Sequence, residues 1–465
     1  MVIVPRNGLL FWTAAVVLPF ALLAALEPTA LSVAAVAILG LALATFADAV
    51  AARRRLSGVN LAVAPLVRMS QDREARFEVR IQNPSQRARA LRLALVLPRE
   101  FQSRALETEV TLPEETEWSR LDWSCRPLKR GQYRLAGACV EMPSPFGFWH
   151  ARKRVPLASE LRVYPNLLSE RKDLAALFLH RGAFGLHAQR QIGKGREFEK
   201  LREYVPGDGY DEIHWKATAR RGRPITKVFQ IERTQEVYVV IDASRLSARP
   251  MAPLRPANAA AFTAAAADDA PALTVPPTTT LERFLTAALV LGLAAEQQGD
   301  LFGVLTFTDK IGGFIRARNG KSHYSACRDA LYTLEPQAVT PDYDEVFTFI
   351  RLRLRRRALL VILTALDDPV VAESFVKNIP LICRQHLVLV NMLPPPGVAP
   401  VFSDGNVGNV DGLYERLGGH LRWQQLRELG QVLKRRGVQF TLLKNERLSS
   451  QLVSQYINVK RRQVL

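Results

Sequence analysis

Cysteine is scarce in this chain of 465 residues: there are four, Cys125, Cys139, Cys327 and Cys383, and none stands in C-x-x-C spacing. That excludes a disulfide-stapled scaffold and points to a reducing compartment, with Cys125 and Cys139 expected as buried thiols on neighbouring strands. Acidic residues are also few, 44 Asp and Glu against 63 Lys and Arg, which leaves a net charge of +19. Such a balance suits nucleic acid, an anionic membrane surface or an acidic protein partner. No zinc-finger spacing and no aromatic-basic RNA motif accompanies the basic clusters at 351–357, 434–436 and 460–462. They read as solvated faces, and nucleic acid is the least favoured of the three partners. With 48% hydrophobic and 23% charged residues, the composition excludes a disordered, collagen-like or polytopic membrane protein.

What the chain does have is an apolar beginning. Between Arg6 and Arg53 the only charges are Glu27 and Asp48, and the runs Leu9 to Leu26 and Pro28 to Ala47 are uncharged. Each is close to the roughly 20 residues a helix needs to cross a bilayer. Glu27-Pro28-Thr29 breaks the helix between them, so residues 1–56 are expected to form a transmembrane hairpin. Arg6 on one flank and Arg53-Arg54-Arg55 on the other are expected to place both ends on the cytoplasmic side of the membrane. Membrane lipid is therefore an expected partner. Residues 1–52 hold one Arg against Glu27 and Asp48, so all of the positive excess lies beyond them.

From 57 to 165 short stretches alternate apolar and polar residues: Arg76 to Asn83, Ala90 to Pro98, Trp118 to Pro127 and Gly131 to Met142. Period-two alternation broken by Pro, Gly and Asn predicts an antiparallel β-sandwich. Beyond 234, apolar strands at Val237 to Ile241, Leu301 to Phe307, Leu359 to Leu363, Leu387 to Asn391 and Gln439 to Leu442 alternate with helices. The helices are expected at Leu281 to Gln297, Tyr324 to Thr333, Asp344 to Arg355, Val370 to Ile379 and Trp423 to Arg436. That order predicts an α/β, doubly wound, mostly parallel sheet with ligands at the C-terminal strand ends. The stretch 248–280 is rich in Ala, Pro and Thr and reads as a disordered insertion.

Between these blocks lies "QIGKGREFEKLREYVPGDGYDEIHWKATARRGRPITKVFQIE". A charged helix-like piece is expected at Glu197 to Tyr204 and a second at Ile213 to Arg220, then a turn at Arg221-Gly222-Arg223-Pro224 and a strand from Ile225 to Ile231. Three kinds of chemistry compete. Asp208, Asp211 and His214 are metal-ligand types, and with Asp242 they define a rival reading as a metal-dependent hydrolase, but without the i,i+4 spacing of known sites. Gly193-Lys194-Gly195 lacks the order of a phosphate loop. The simplest reading is an ordered loop whose acids pair with Arg202, Lys216, Arg220 and Arg221 around a buried Trp215. No nucleophile–base pair appears, so no catalytic residue is assigned.

The same string resembles the signature of the bacterial domain-of-unknown-function family 58. The matching positions are Gly195, Glu197, Phe198, Leu201, Arg202, Tyr204, Gly207, Asp208, Ile213, Trp215, Ala219 and Arg220. "RGQYRLAG", "PFGFW" and the C-terminal "LSSQLVSQYINVKRRQVL" resemble the family elsewhere. Two positions depart from it: Ser144 stands where the family usually has Asp, and Glu212 where it usually has Arg. The resemblance implies that 166–233 packs on a von Willebrand factor A-like domain at 234–465. It also implies a protein-binding adaptor working with a MoxR-type AAA+ ATPase in assembly or envelope stress. Gly195, Glu197, Arg202, Tyr204, Gly207, Asp208, Trp215 and Arg220 are the residues expected to bind that partner. A-like domains hold Mg²⁺ through D-x-S-x-S, a Thr and an Asp. Here the ligands would be Asp242, Ser244, Thr340 and Asp367, or Thr364 in the third loop. Leu246 cannot serve as the third D-x-S-x-S ligand, and Arg245 brings positive charge to the site. The competing expectation has Asp242 held by backbone amides or by Arg245.

Overall fold

The computed structural model describes residues 1–26, 31–56, 58–103, 105, 107–168, 170, 192–206, 209–210, 213–230, 235–251, 278–401 and 410–462. The chain divides into two compact units, one containing Met1–Asn166 and the other Leu167–Leu254 with Pro277–Leu465.

The first unit opens with β1 (Val2–Pro5), α1 (Asn7–Leu26) and α2 (Leu31–Leu56). Both helices are long and apolar enough to cross a membrane, and they pack against one another. Nine strands follow: β2 (Asn60–Val63), β3 (Leu66–Ser70), β4 (Ala75–Gln82), β5 (Arg89–Leu95), β6 (Phe101–Ser103), β7 (Thr108–Leu112), β8 (Trp118–Pro127), β9 (Gly131–Pro143) and β10 (Trp149–Tyr164). They form two sheets, β1-β10-β9-β5-β7 with β3 on β10, and β2-β4-β8-β6. Alternate residues of both, such as Val79, Ile81, Leu93 and Val140, meet in one core.

Two expectations need correcting here. The first sheet is not wholly antiparallel, because β3 runs parallel to β10. Strand β10 is long enough to use β1 at one end and β3 at the other, with a register shift between Pro156 and Ser159. Cys125 and Cys139 are not on paired neighbours either: β8 and β9 are consecutive but lie in opposite sheets. Both thiols are free, and burial pushes that of Cys125 up to about 12.

Helix α2 continues past its apolar run and inserts Ala52 and Leu56 into the sandwich core. Asp48, at the transition, is fully buried. Its carboxylate accepts hydrogen bonds from the Ser144 hydroxyl at 2.5 Å and from the backbone N–H groups of Phe146 at 3.0 Å and Phe148 at 3.2 Å. The Trp149 indole donates to the Thr45 carbonyl beside it. Three donors offset the desolvation of a carboxylate that an apolar helix would otherwise exclude. Ser144, one of the two departures from the family pattern, supplies one of them, and an Asp there would set two carboxylates together.

The second unit contains β11 (Ile192–Glu203), α3 (Trp215–Arg221) and β12 (Ile225–Gln230). The expected helical piece from Glu197 to Tyr204 is instead part of β11, antiparallel to β12. A partner strand distant in sequence overrides the local charge pattern. The remainder is β13 (Glu236–Asp242), α4 (Thr280–Gln297), β14 (Leu301–Phe307), β15 (Ile311–Arg318), α5 (Lys321–Leu331), α6 (Tyr343–Arg353), β16 (Leu359–Leu363), α7 (Pro369–Asn378), α8 (Pro380–Cys383), β17 (Leu387–Met392), α9 (Val410–Arg435), β18 (Gln439–Leu442) and α10 (Leu448–Arg462). Six strands form one mixed sheet in the order β15-β14-β13-β16-β17-β18, parallel except for β15.

Side chains alternate across that sheet. Val237, Val239 and Ile241 pack toward α4 and α10, whereas Tyr238 and Val240 pack toward α6, α7 and α9. Both faces of the central strands are therefore buried, which is why they read as continuous apolar runs. Helix α9 begins well before the expected Trp423. At Gly419 the helix passes the Gly397 carbonyl too closely for a Cβ. Helix α10, unforeseen, is fastened by Asp300, which accepts from the Tyr456 hydroxyl and from Lys460 Nζ at 2.8 Å.

Asp48→Ala strands the Ser144 hydroxyl and two N–H groups, and should cost the first unit about 2 kcal/mol. Chemical denaturation of the detergent-solubilised chain measures it.

Candidate functional site

The C-terminal edge of the mixed sheet brings the A-like candidates together. Strand β13 ends in Asp242, fully buried, and the chain turns through Ala243 and Ser244 into a 3₁₀ turn at Arg245–Ala248. The turn is pinned from both sides. Ala243 N–H donates to the Phe307 carbonyl, and Arg245 N–H to that of Val339, which brings Thr340 alongside.

Each Asp242 oxygen already has a donor. Oδ1 accepts from the Ser244 N–H at 2.8 Å, and Oδ2 accepts from the Thr364 hydroxyl at 2.6 Å. Thr364 in turn meets the buried Tyr343 hydroxyl at 2.9 Å. Burial raises the Asp242 carboxyl above the ordinary Asp value, opposed by those hydrogen bonds. Burial, then the Asp242 charge, hold the Tyr343 hydroxyl well above its own.

Arg245 does not hold Asp242, as one expectation had it. Its guanidinium turns outward to Asp368 Oδ2 at 3.1 Å and Thr340 Oγ1 at 3.4 Å. Arg249 takes Asp367 Oδ2 at 2.6 Å. Arg249, Asp367, Asp368 and Arg422 line an open groove of about 640 Å³ with Pro395 and Pro396. Asp368 also caps α7, accepting from the Val370 N–H.

This donor set does not fit Mg²⁺. A hard cation needs several free oxygens at octahedral geometry. Here each Asp242 oxygen already has a donor, Leu246 is a buried hydrocarbon, and guanidinium groups sit on Thr340 and on Asp367 Oδ2, although Asp367 Oδ1 is buried with no hydrogen-bond partner.

The hairpin of β11 and β12 carries the family string. Gly195 and Glu197 lie on β11, while Gly207, Asp208 and Asp211 lie outside the described residues. His214 is the N-cap of α3: its Nδ1 accepts from the Ala217 N–H at 3.0 Å. Gly222 closes the helix at φ +65°, so the predicted turn is a left-handed C-cap. With His214 spent on a cap and Asp242 enclosed, the hydrolase reading finds no support.

Trp215, expected to be buried, is 68% exposed. Tyr210 is 76% exposed, and Leu201 and Val205 are exposed as well. Arg220, Arg221 and Arg223 are exposed beside them, with Arg223 reaching Glu203 at 3.4 Å, while Arg202 and Tyr204 are half-buried. Tyr210, Leu201 and Val205 were not singled out for binding from sequence; the signal available was an apolar residue next to a Pro-Gly turn.

The family model described as "Protein of unknown function DUF58" matches residues 200–270 and 274–396. Over those residues the chain matches the DUF58 family model. None of the curated proteins is detectably similar to it. Solved structures similar to parts of it include WR4, an MSP family member of C. elegans, 14% identical over 22% of this chain and 96% of that one, with a TM-score of 0.16. A protein of unknown function from Porphyromonas gingivalis W83 is 18% identical over 23% of this chain and 48% of that one, at 0.17. Proximal thread matrix protein 1 of the mussel byssus is 11% identical over 48% and 45%, at 0.22. The DUF58 match runs from the end of β11 to just past β17, and so includes α3 with its Trp215 as well as the Asp242 edge.

Two outcomes are expected from this DUF58 site. Millimolar Mg²⁺ should leave the thermal midpoint of the native chain unchanged, while the double variant Arg245→Ala, Leu246→Ser, which restores D-x-S-x-S and removes a guanidinium, should gain a Mg²⁺-dependent rise. The folded Asp242 carboxyl titrates above its unfolded value, so between the two values the folded state holds the extra proton, and stability falls as pH rises through that window. Asp242→Asn should remove that slope from melting curves taken across the window.

Proposed function

We propose that this chain is a membrane-anchored adaptor. Helices α1 and α2 fix it in the bacterial cytoplasmic membrane with both units on the cytoplasmic side, Arg6 and Arg53-Arg54-Arg55 supplying the positive flanks. The second unit is read as a von Willebrand factor A-like, doubly wound domain. The parallel strand order with one antiparallel edge, helices against both faces and Asp242 at the end of β13 support that reading. It binds a protein partner, a MoxR-type AAA+ ATPase, in an assembly or envelope-stress role.

The observation that carries this is the exposure of Trp215 and Tyr210 among Arg220, Arg221 and Arg223 on the hairpin that bears the family string. Solvent-exposed Trp and Tyr beside Arg are the residue types that dominate protein–protein binding energy. A folded hairpin that caps its helix with His214 and leaves its largest side chain in water has no internal use for that side chain. The sheet edge, where Arg245 pairs with Asp368 and Arg249 with Asp367, adds further charged surface.

Trp215→Ala should weaken capture of a MoxR-type ATPase by the full-length, detergent-solubilised chain by about 30-fold, the equivalent of roughly 2 kcal/mol. Asp242→Asn should leave capture intact. Unchanged binding by Trp215→Ala and by Tyr210→Ala together would sink the hairpin as the docking surface. A turnover activity lost in Asp242→Asn with binding retained would sink the adaptor reading.

A further inference from the structure

The anchor is not a tether. Helix α2 runs unbroken from its apolar segment into the sandwich core, and Leu56 lies only about 12 Å along the helix axis from Asp48 at 1.5 Å per residue. The turn from Ser144 to Phe148 is tied to both helices at one level: to α2 through Asp48 and Thr45, and to the start of α1 through Arg6, whose N–H donates to the Phe148 carbonyl at 3.0 Å. β1, pairing Pro5 with Trp149, holds the same level. Below it, the large apolar residues of α2, including Val36, Leu39, Leu43 and Phe46, are exposed; above it, Ala52 and Leu56 are buried in protein. The change from apolar exposure to protein burial therefore occurs at the Ser144–Phe148 turn.

On that turn Phe146 is 71% exposed, although its own N–H is locked onto Asp48. Gly147, at φ +78°, leaves room for the Arg6 guanidinium. A wholly apolar ring beside a cation is the combination that interfacial segments place at the acyl–headgroup boundary, the ring on the acyl side and the cation on the headgroup side. We infer that the Ser144–Phe148 turn is a lipid-contacting collar: Phe146 inserts at the acyl–headgroup boundary of the bilayer, and Arg6 faces an anionic headgroup. The bilayer is the occupant because Phe146 is bonded to Asp48, two residues beyond the exposed Phe46 of the apolar run, and because Arg6 and Arg53 lie at or just beyond the same level. This rests on the reading of α1 and α2 as a membrane anchor, and adds that the sandwich is seated directly on the membrane surface.

The test uses the full chain, with Phe146→Cys carrying an environment-sensitive nitrobenzoxadiazole label. It is reconstituted into vesicles of phosphatidylethanolamine and phosphatidylglycerol. Arg73→Cys, in the β3–β4 turn at the opposite end of β10, is the control, and the unsubstituted chain sets the labelling background. The label at 146 should emit at shorter wavelength than that at 73, resist aqueous iodide, and be quenched by lipids spin-labelled near the headgroup. If the protein floats with the vesicles but iodide quenches both positions equally, the collar is overturned while the anchor stands. Shielding from iodide without quenching by spin-labelled lipid would mean that protein, such as a second copy, covers Phe146, and would also overturn it. Failure to float with vesicles would overturn the anchor and the collar together.

Discussion

A carboxylate taken out of water must be given donors, and the described parts of this protein are organised around three that are. Asp48 joins an apolar helix to a β-sandwich, Asp242 closes the central strand of the mixed sheet, and Asp300 holds the last helix against it. Each collects hydrogen bonds from residues far away in sequence. Each therefore fixes tertiary arrangement as well as offsetting its own burial, and losing a donor would leave a charge stranded in a low-dielectric interior.

At Asp242 this has a chemical consequence. A carboxylate at the end of a buried parallel strand is well placed for a metal, but its two oxygens are already matched by Thr364 and the Ser244 amide. The neighbouring acids are matched by Arg245 and Arg249. Positive charge at this edge is built into the chain, so it does not depend on the concentration of an ion.

Much of the fold was legible because burial leaves a periodic trace. Strands β13, β14, β16 and β17 are apolar throughout since both of their faces are covered, and β4, β8 and β9 alternate since one face is wet. The errors have physical causes. The piece from Glu197 to Tyr204 has a helical charge pattern but pairs with β12. The helix expected from Trp423 starts at Val410, with Gly419 packed close against Gly397. Trp215 looked like a core residue because of its size, and nothing in the local string says that no core reaches it. In the candidate site, Asp242 and Ser244 were legible as a motif, as was the handicap of Leu246.

By itself the sequence determined the two apolar helices, the order of β-rich and alternating segments, the family string and the accumulation of positive charge beyond residue 52. These are properties of composition and short-range period, which a chain carries wherever it folds. Only the tertiary structure decided that β8 and β9 part into different sheets, that Asp48 is sealed by Ser144, and that the arginines turn away from Asp242 to Asp367 and Asp368. It also decided that Trp215 and Phe146 stay outside. Hydrogen-bond partners and exposure depend on residues a hundred or so positions apart meeting in space, and no local pattern records that meeting.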